Sequence, residues 1–229
     1  MIYICGDLHG EYGTPEEAYF LKHLSKDDIL IVLGDFGWDW TYSNLKQFQL
    51  PCQTLFIDGN HENFVILQNL PEEEHFGAPV GVVNDRVYWL KRGNLYTIEG
   101  KTFFCFGGAN SVDKEFRTPY KSWWPEEIPN QKEYMNALDN LEACNYRFDY
   151  FLSHTCTEKD EIELLEYKNI IDDPVSDMLT WMERLIKENN GNYKLWLFGH
   201  HHKLVQGEKR LGMFMQVYCI DTNELFDFS

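Results

Sequence analysis

Short, wholly apolar runs alternate along the chain with stretches in which apolar positions recur every three or four residues. Ile2–Cys5, Ile29–Leu33, the triplet Leu55, Phe56 and Ile57, residues 150–152 and Leu195–Phe198 have the length and the β-branched or aromatic content of strands buried on both faces. Helical patterns separate the first three. Thr14-Pro15-Glu16-Glu17 has the form of a capping box with proline at the first helical position, and Ala18, Phe20, Leu21 and Leu24 continue it as a helix over about 15–25. Trp38 to Trp40 fall in a loop, a second helical stretch is stopped by Pro51, and a short helix from about Asn63 ends before Pro71. Alternating strand and helix predicts a largely parallel first layer.

From Arg86 the pattern becomes closely spaced strands: Val87–Leu90, 95–98 and 102–106, with Glu99-Gly100 as a tight turn. These predict a second sheet. Residues 107–130 form a long connection carrying Lys114, Arg117, Lys121 and the pair Trp123-Trp124, and loops of that length in compact domains tend to be functional or mobile. Asn130 and Glu133 open a helix that runs to about Ala143. Asp173-Pro174 open the longest one, on which Val175, Met178, Leu179, Met182, Leu185 and Ile186 recur at helical spacing, so its methionines belong to a core. Gly191 closes it, and 214–220 with 225–228 read as a terminal hairpin. The fold class is α/β, two sheets flanked by helices. With no Pro-, Gly- or Ser-rich linker and no repeat, residues 1–229 are expected to form one domain.

Charge narrows the partners. The formal net charge is −17, from 37 acidic and 20 basic residues, and no basic stripe is visible, which argues against a long nucleic acid. The longest aliphatic run, Ile29–Leu33, is too short to cross a bilayer, and the amino terminus has no basic region followed by a hydrophobic core; a cytoplasmic chain without membrane contact is expected. The six cysteines include no C-x-x-C pair, and Cys5, Cys105 and Cys219 lie inside apolar strands as small buried thiols.

The candidate chemistry sits at strand ends. Ile2–Cys5 runs into Gly6-Asp7-Leu8-His9, Ile29–Leu33 into Gly34-Asp35, the third strand into Gly59-Asn60-His61-Glu62, 150–152 into Ser153-His154, and Leu195–Phe198 into Gly199-His200-His201-His202. In open α/β sheets the functional crevice lies outside the carboxyl ends of the strands. His9, His61, His154, His200 and His202, five of the eight histidines, fall there. His201 reads as a filler between two candidate ligands or as a group supporting them, His23 and His75 as solvated, and Glu62 as a helix cap.

In order and spacing, Asp7-x-His9, Gly34-Asp35, Gly59-Asn60-His61-Glu62, His154 and Gly199-His200-x-His202 resemble the calcineurin-like metallophosphoesterase superfamily over most of the chain. The resemblance implies a four-layer αββα sandwich and two divalent metal ions. Asp35 would bridge them, Asp7, His9 and His202 would complete one site, and Asn60, His154 and His200 the other. A thiolate-free set of carboxylate, imidazole and amide suits manganese, iron or zinc. Two cations roughly 3.5 to 4 Å apart neutralise phosphate charge and make hydroxide available at neutral pH. His61 is left over, and protonates the leaving oxygen or stabilises the transition state. Arg117, with Lys114, is the candidate for binding substrate phosphate. Many relatives carry an acid or amide three residues after the second-motif Asp, which often orients that histidine. Here Trp38 stands there and Asp39 follows.

The implied activity is hydrolysis of a small phosphomonoester or phosphodiester. A metal-dependent nuclease and a non-catalytic binding module on the same fold are the alternatives. Oligomeric state is not legible.

Overall fold

Alternate side chains of each apolar run enter different cores. The computed structural model describes residues 1–10, 19–37, 50–168 and 172–228. In β1 (Ile2–Cys5), Ile2 and Ile4 enter one core, Tyr3 and Cys5 another. In β2 (Ile29–Leu33) and β3 (Gln53–Ile57), Ile29, Ile31, Leu33, Leu55 and Ile57 join the first core, while Leu30, Val32 and Phe56 join the second. The first core is shared with another sheet, which contributes Phe103, Cys105, Tyr150, Leu152 and Leu197. Their neighbours Phe104, Phe106, Phe151 and Trp196 face away from it into a third core with Leu141, Leu179 and Met182 of the helices. Strands apolar at every position thus bury both faces, one on the opposite sheet and one outside it.

The outer strands of the first sheet are β4 (Glu72–His75), β5 (Ala78–Val82) and β6 (Val87–Leu90) on one side, with β13 (Gln216–Cys219) and β14 (Glu224–Asp227) on the other. Its eight strands run β14-β13-β1-β2-β3-β6-β5-β4, with β1, β2, β3 and β6 parallel. The second sheet comprises β7 (Asn94–Ile98), β8 (Lys101–Phe106), β9 (Tyr150–Ser153), β10 (Leu195–Phe198), β11 (Val205–Gln206) and β12 (Arg210–Gly212). Its six strands run β11-β12-β10-β9-β8-β7, and β8, β9, β10 and β12 are parallel. Both sheets are mixed, as expected for the sandwich.

One expectation fails: Val87–Leu90 belongs to the first sheet, parallel to β3 through Thr54↔Val87 and antiparallel to β5. The chain passes to the second sheet only after it, at Lys91 to Gly93. The cause is the unpredicted β4–β5 hairpin, whose edge strand Glu-Glu-Glu-His is almost wholly exposed. Charged edge strands block unwanted pairing but carry no apolar signal.

Of the helix expected over 15–25, α1 (Tyr19–Lys22) is described. Its capping box, and the 38–49 stretch with Trp38, Asp39 and the second helix, lie outside the described residues. The short helix is α2 (Phe64–Leu67), capped by Asn63. α3 (Gln131–Ala143) has both halves of the Asn130–Glu133 capping box. An unpredicted α4 (Glu158–Glu163) precedes α5 (Pro174–Glu188), where Asp173 accepts from the Val175 amide at 2.9 Å and Met182 is buried. Strands β13 and β14 form the expected hairpin.

Candidate metal centre

Parallel pairing puts five strand ends on one edge. The loops after β1, β2 and β3 are neighbours in one sheet, those after β9 and β10 in the other. Backbone bonds tie them: Leu8 and His9 amides donate to the Asp35 carbonyl (3.2 and 2.7 Å), and the Gly199 amide to the His154 carbonyl (2.8 Å).

Two overlapping donor groups result. Asp7, His9 and His202 each offer an atom within 4.8 Å of the others, and so do Asp7, Asp35 and His154. His9 and His202 meet through their Nε2 atoms at 3.0 Å, and His9 Nε2 lies 3.8 Å from Asp35 Oδ2. His154 Nε2 is 3.4 Å from Asp35 Oδ1 and 3.1 Å from Asn60 Oδ1. The His200 ring packs edge-on against His154, centroids 5.0 Å apart, and its backbone amide donates to Asp7 at 3.0 Å. Asp7 thus falls in both groups, whereas His200 falls in neither.

The backbone is shaped for this convergence. His9, Asp35, His200 and His202 have φ of 46°, 48°, 63° and 49°. Left-handed non-glycine residues cost roughly 1–3 kcal/mol each and gather at functional sites. Glycine is required beside them. A Cβ on Gly59 would collide with Asp35 Oδ1 and lie 2.8 Å from His154 Nε2, and one on Gly199 would lie 2.8 Å from Asp7 Oδ2.

Second partners orient the donors. His154 Nδ1 lies 2.7 Å from the Leu33 carbonyl, which can only accept, so Nδ1 carries a hydrogen and Nε2 turns toward Asp35 and Asn60. The Asn60 amide donates to Ser111 Oγ at 2.9 Å, which directs its Oδ1 to His154. Ser111 is itself held by Glu127, its amide donating at 2.9 Å and its hydroxyl at 2.6 Å. Glu62 is no helix cap: it is buried and accepts from the Phe36 amide at 2.7 Å, holding the turn after Asp35. Sequence reasoning missed Ser111 and Glu127, which lie in the 107–130 connection without any motif. It misread Glu62 because Asn63 is the cap.

Electrostatics follow from burial and crowding. Burial opposes a charged His154, but Asp35 and Asp7 outweigh it and raise its pKa to about 10. Burial raises Asp7 to about 7, with His154 opposing and Asp35 adding. Asp35 is lowered, because the surrounding imidazoles, His154 foremost, overcome its burial. His200 is pushed well below the usual range by burial and by His154, which keeps it neutral. A cation bound by His154 has to displace a proton from it, and the thiolate-free oxygen and nitrogen set fits divalent metals.

His61 borders this group, its ring 5.5 Å from His9 and its backbone amide donating to Asp35 Oδ1 at 2.9 Å. Burial lowers its pKa, Asp35 opposing and Arg117 adding. Arg117 Nη1 is 2.9 Å from His61 Nδ1, and its Nε and Nη2 donate to the Asp113 carboxylate at 2.7 and 2.8 Å. Lys114 donates to Asn110 Oδ1 at 2.9 Å on the surface. His201 turns away toward Thr155, Cys156 and Tyr167. His23 is exposed and His75 pairs with Glu73. Among the described residues no helix is long and apolar enough to cross a membrane.

Comparison with known proteins agrees with this geometry. A search of curated proteins finds no match. One solved structure aligns at TM-score 0.57 and 12% identity, covering 100% of this chain and 98% of its own. TT1561 of Thermus thermophilus aligns at TM-score 0.52 and 12% identity, again covering 100% and 98%. At that identity the two share the fold. The family model described as calcineurin-like phosphoesterase matches residues 1–204, a span that contains all five strand ends, and the chain belongs to that family.

Proposed function

We propose that the chain is a dinuclear-metal-dependent hydrolase of a small phosphomonoester or phosphodiester. The observation that carries this reading is the pair of overlapping donor groups, Asp7-His9-His202 and Asp7-Asp35-His154, at one sandwich edge with His61 beside them. Asp7, His9 and His202 would hold one cation, and Asn60, His154 and His200 the other, with Asp35 between them; manganese, iron and zinc all suit the donors. When bound, such a pair neutralises phosphate charge and lowers the pKa of a water to about 7.

The chain's own residues supply the rest. Leu33 O and Ser111 aim His154 and Asn60. Glu62 holds the turn that carries Asp35. His61 borders the centre where it can protonate the leaving oxygen or stabilise the transition state. The acidic balance favours a small substrate over a long nucleic acid. Six cysteines with no disulfide among them suit a reducing, cytoplasmic setting.

The test is a panel of metal-reconstituted protein against a monoester, a diester, a cyclic nucleotide and a dinucleoside polyphosphate. Metal-dependent turnover of at least one is expected. No turnover with manganese, iron or zinc on any of the four refutes the reading.

A further inference from the structure

Arg117 and His61 come from separate connections, 56 positions apart, yet Nη1 of one lies 2.9 Å from Nδ1 of the other. A guanidinium has five N–H donors and no acceptor, and it stays protonated. The contact is a hydrogen bond only if Nδ1 offers its lone pair. A neutral imidazole accepting at Nδ1 carries its proton on Nε2.

The guanidinium is itself held. Its Nε–Nη2 edge forks onto Asp113 four residues back, across the 3-10 turn Lys114–Phe116, and Nη1 also donates to the Ser122 carbonyl at 3.1 Å. Such a two-bond fork fixes the plane of the group as a single point charge cannot. The Arg117 side chain is 14% exposed, so the bond to His61 is largely screened from water.

We propose that Arg117, locked by Asp113, is a positioning residue that holds His61 as a neutral Nε2–H donor, so that His61 stabilises developing negative charge without giving up its proton. The proposal rests on the phosphoesterase reading of the same centre. A carboxylate partner would do the reverse: it accepts from Nδ1–H and favours an imidazolium able to transfer its proton to the leaving oxygen. Arg117 therefore selects between the two roles open to His61. The electrostatic role leaves the leaving oxygen to take its proton from solvent, and the cost of losing His61 no longer depends on how basic that oxygen is.

The experiment is nitrogen NMR of the zinc-loaded protein labelled with ¹⁵N-histidine, joined to kinetics on nitrophenyl and alkyl phosphate esters. In the wild type, His61 is expected to show an unprotonated Nδ1 and a protonated Nε2. Arg117→Met should abolish that signature with metal content unchanged, and lower kcat roughly 10- to 100-fold, the range for losing an orienting partner of a site imidazole. The loss should be equal for both ester classes. Asp113→Ala, which releases the fork near the surface, should move the same signal in the same direction. A wild-type His61 protonated at Nδ1 overturns the proposal and points to Asp39. So do signals unmoved in both variants, or a His61→Ala loss confined to alkyl esters. A protein without phosphoesterase activity whose His61 tautomer still depends on Arg117 sinks the functional reading, and with it the catalytic role of His61, while sustaining the positioning of His61 by Arg117.

Discussion

Ser111→Ala removes one oxygen from the interior and should reach the metals through two bonds. Ser111, Glu127 and Asn60 are 3%, 0% and 3% exposed, so solvent offers little replacement for a lost partner. The Ser111 hydroxyl donates to Glu127 and accepts from the Asn60 amide. The variant loses a hydrogen bond to a carboxylate and leaves a buried N–H unpaired, a combined cost of about 2–4 kcal/mol. Glu127 keeps the Ser111 backbone amide, so collapse of the loop is not expected. With its Nδ2 released, the Asn60 side chain is free to rotate its amide nitrogen toward His154, where an oxygen donor is needed. Loss of an orienting partner of this kind lowers metal affinity roughly 10- to 100-fold. The assay pairs urea unfolding of the metal-free protein with calorimetric metal titration. The expected result is a lower unfolding midpoint together with weakening of one of two binding events. A lowered midpoint with both affinities unchanged would show that Ser111 supports the loop alone, and the reasoning about amide orientation would fail.

Other outcomes follow from the same geometry. Because Asp35 and Asp7 raise the His154 pKa to about 10, metal uptake at pH 8 should release protons, and affinity should fall as pH drops. Titration heats that do not vary with buffer ionisation enthalpy would contradict this. Asp35→Ala should cost both cations, because Asp35 faces His9 through Oδ2 and His154 through Oδ1, whereas His9→Ala, on one side only, should cost one; elemental analysis showing equal losses would refute the assignment. Gly59→Ala drives a methyl onto Asp35 and His154, and should lower both stability, by about 1–3 kcal/mol, and metal content. A variant that keeps two metals and its urea midpoint would remove the close-approach argument.

What the sequence made legible is the part written in periodicity and punctuation. Apolar runs such as Ile29–Leu33 announce strands buried on both faces, and Asn130 with Glu133, like Asp173-Pro174, announces a helix start by capping chemistry. The candidate ligands were visible for the same reason, since each follows an apolar run directly. Partners chosen by tertiary approach were not. Ser111 and Glu127 sit in an unpatterned connection, and Glu62 lies next to a true cap, so local signals assign them nothing or the wrong role. The sheet identity of Val87–Leu90 was lost because β4 is polar. Arg117 was legible as a cation in the right loop, but its orientation toward His61 depends on Asp113 and the turn between them.

The central claim is that the five strand ends form one two-cation centre for phosphoester hydrolysis. Its most direct test is the initial rate of hydrolysis of an active ester, followed while metal is added stepwise to the metal-free protein. The rate should rise and break at two equivalents per chain, and Asp35→Ala should stay flat throughout. A break at one equivalent, or no hydrolysis at any loading, would contradict it.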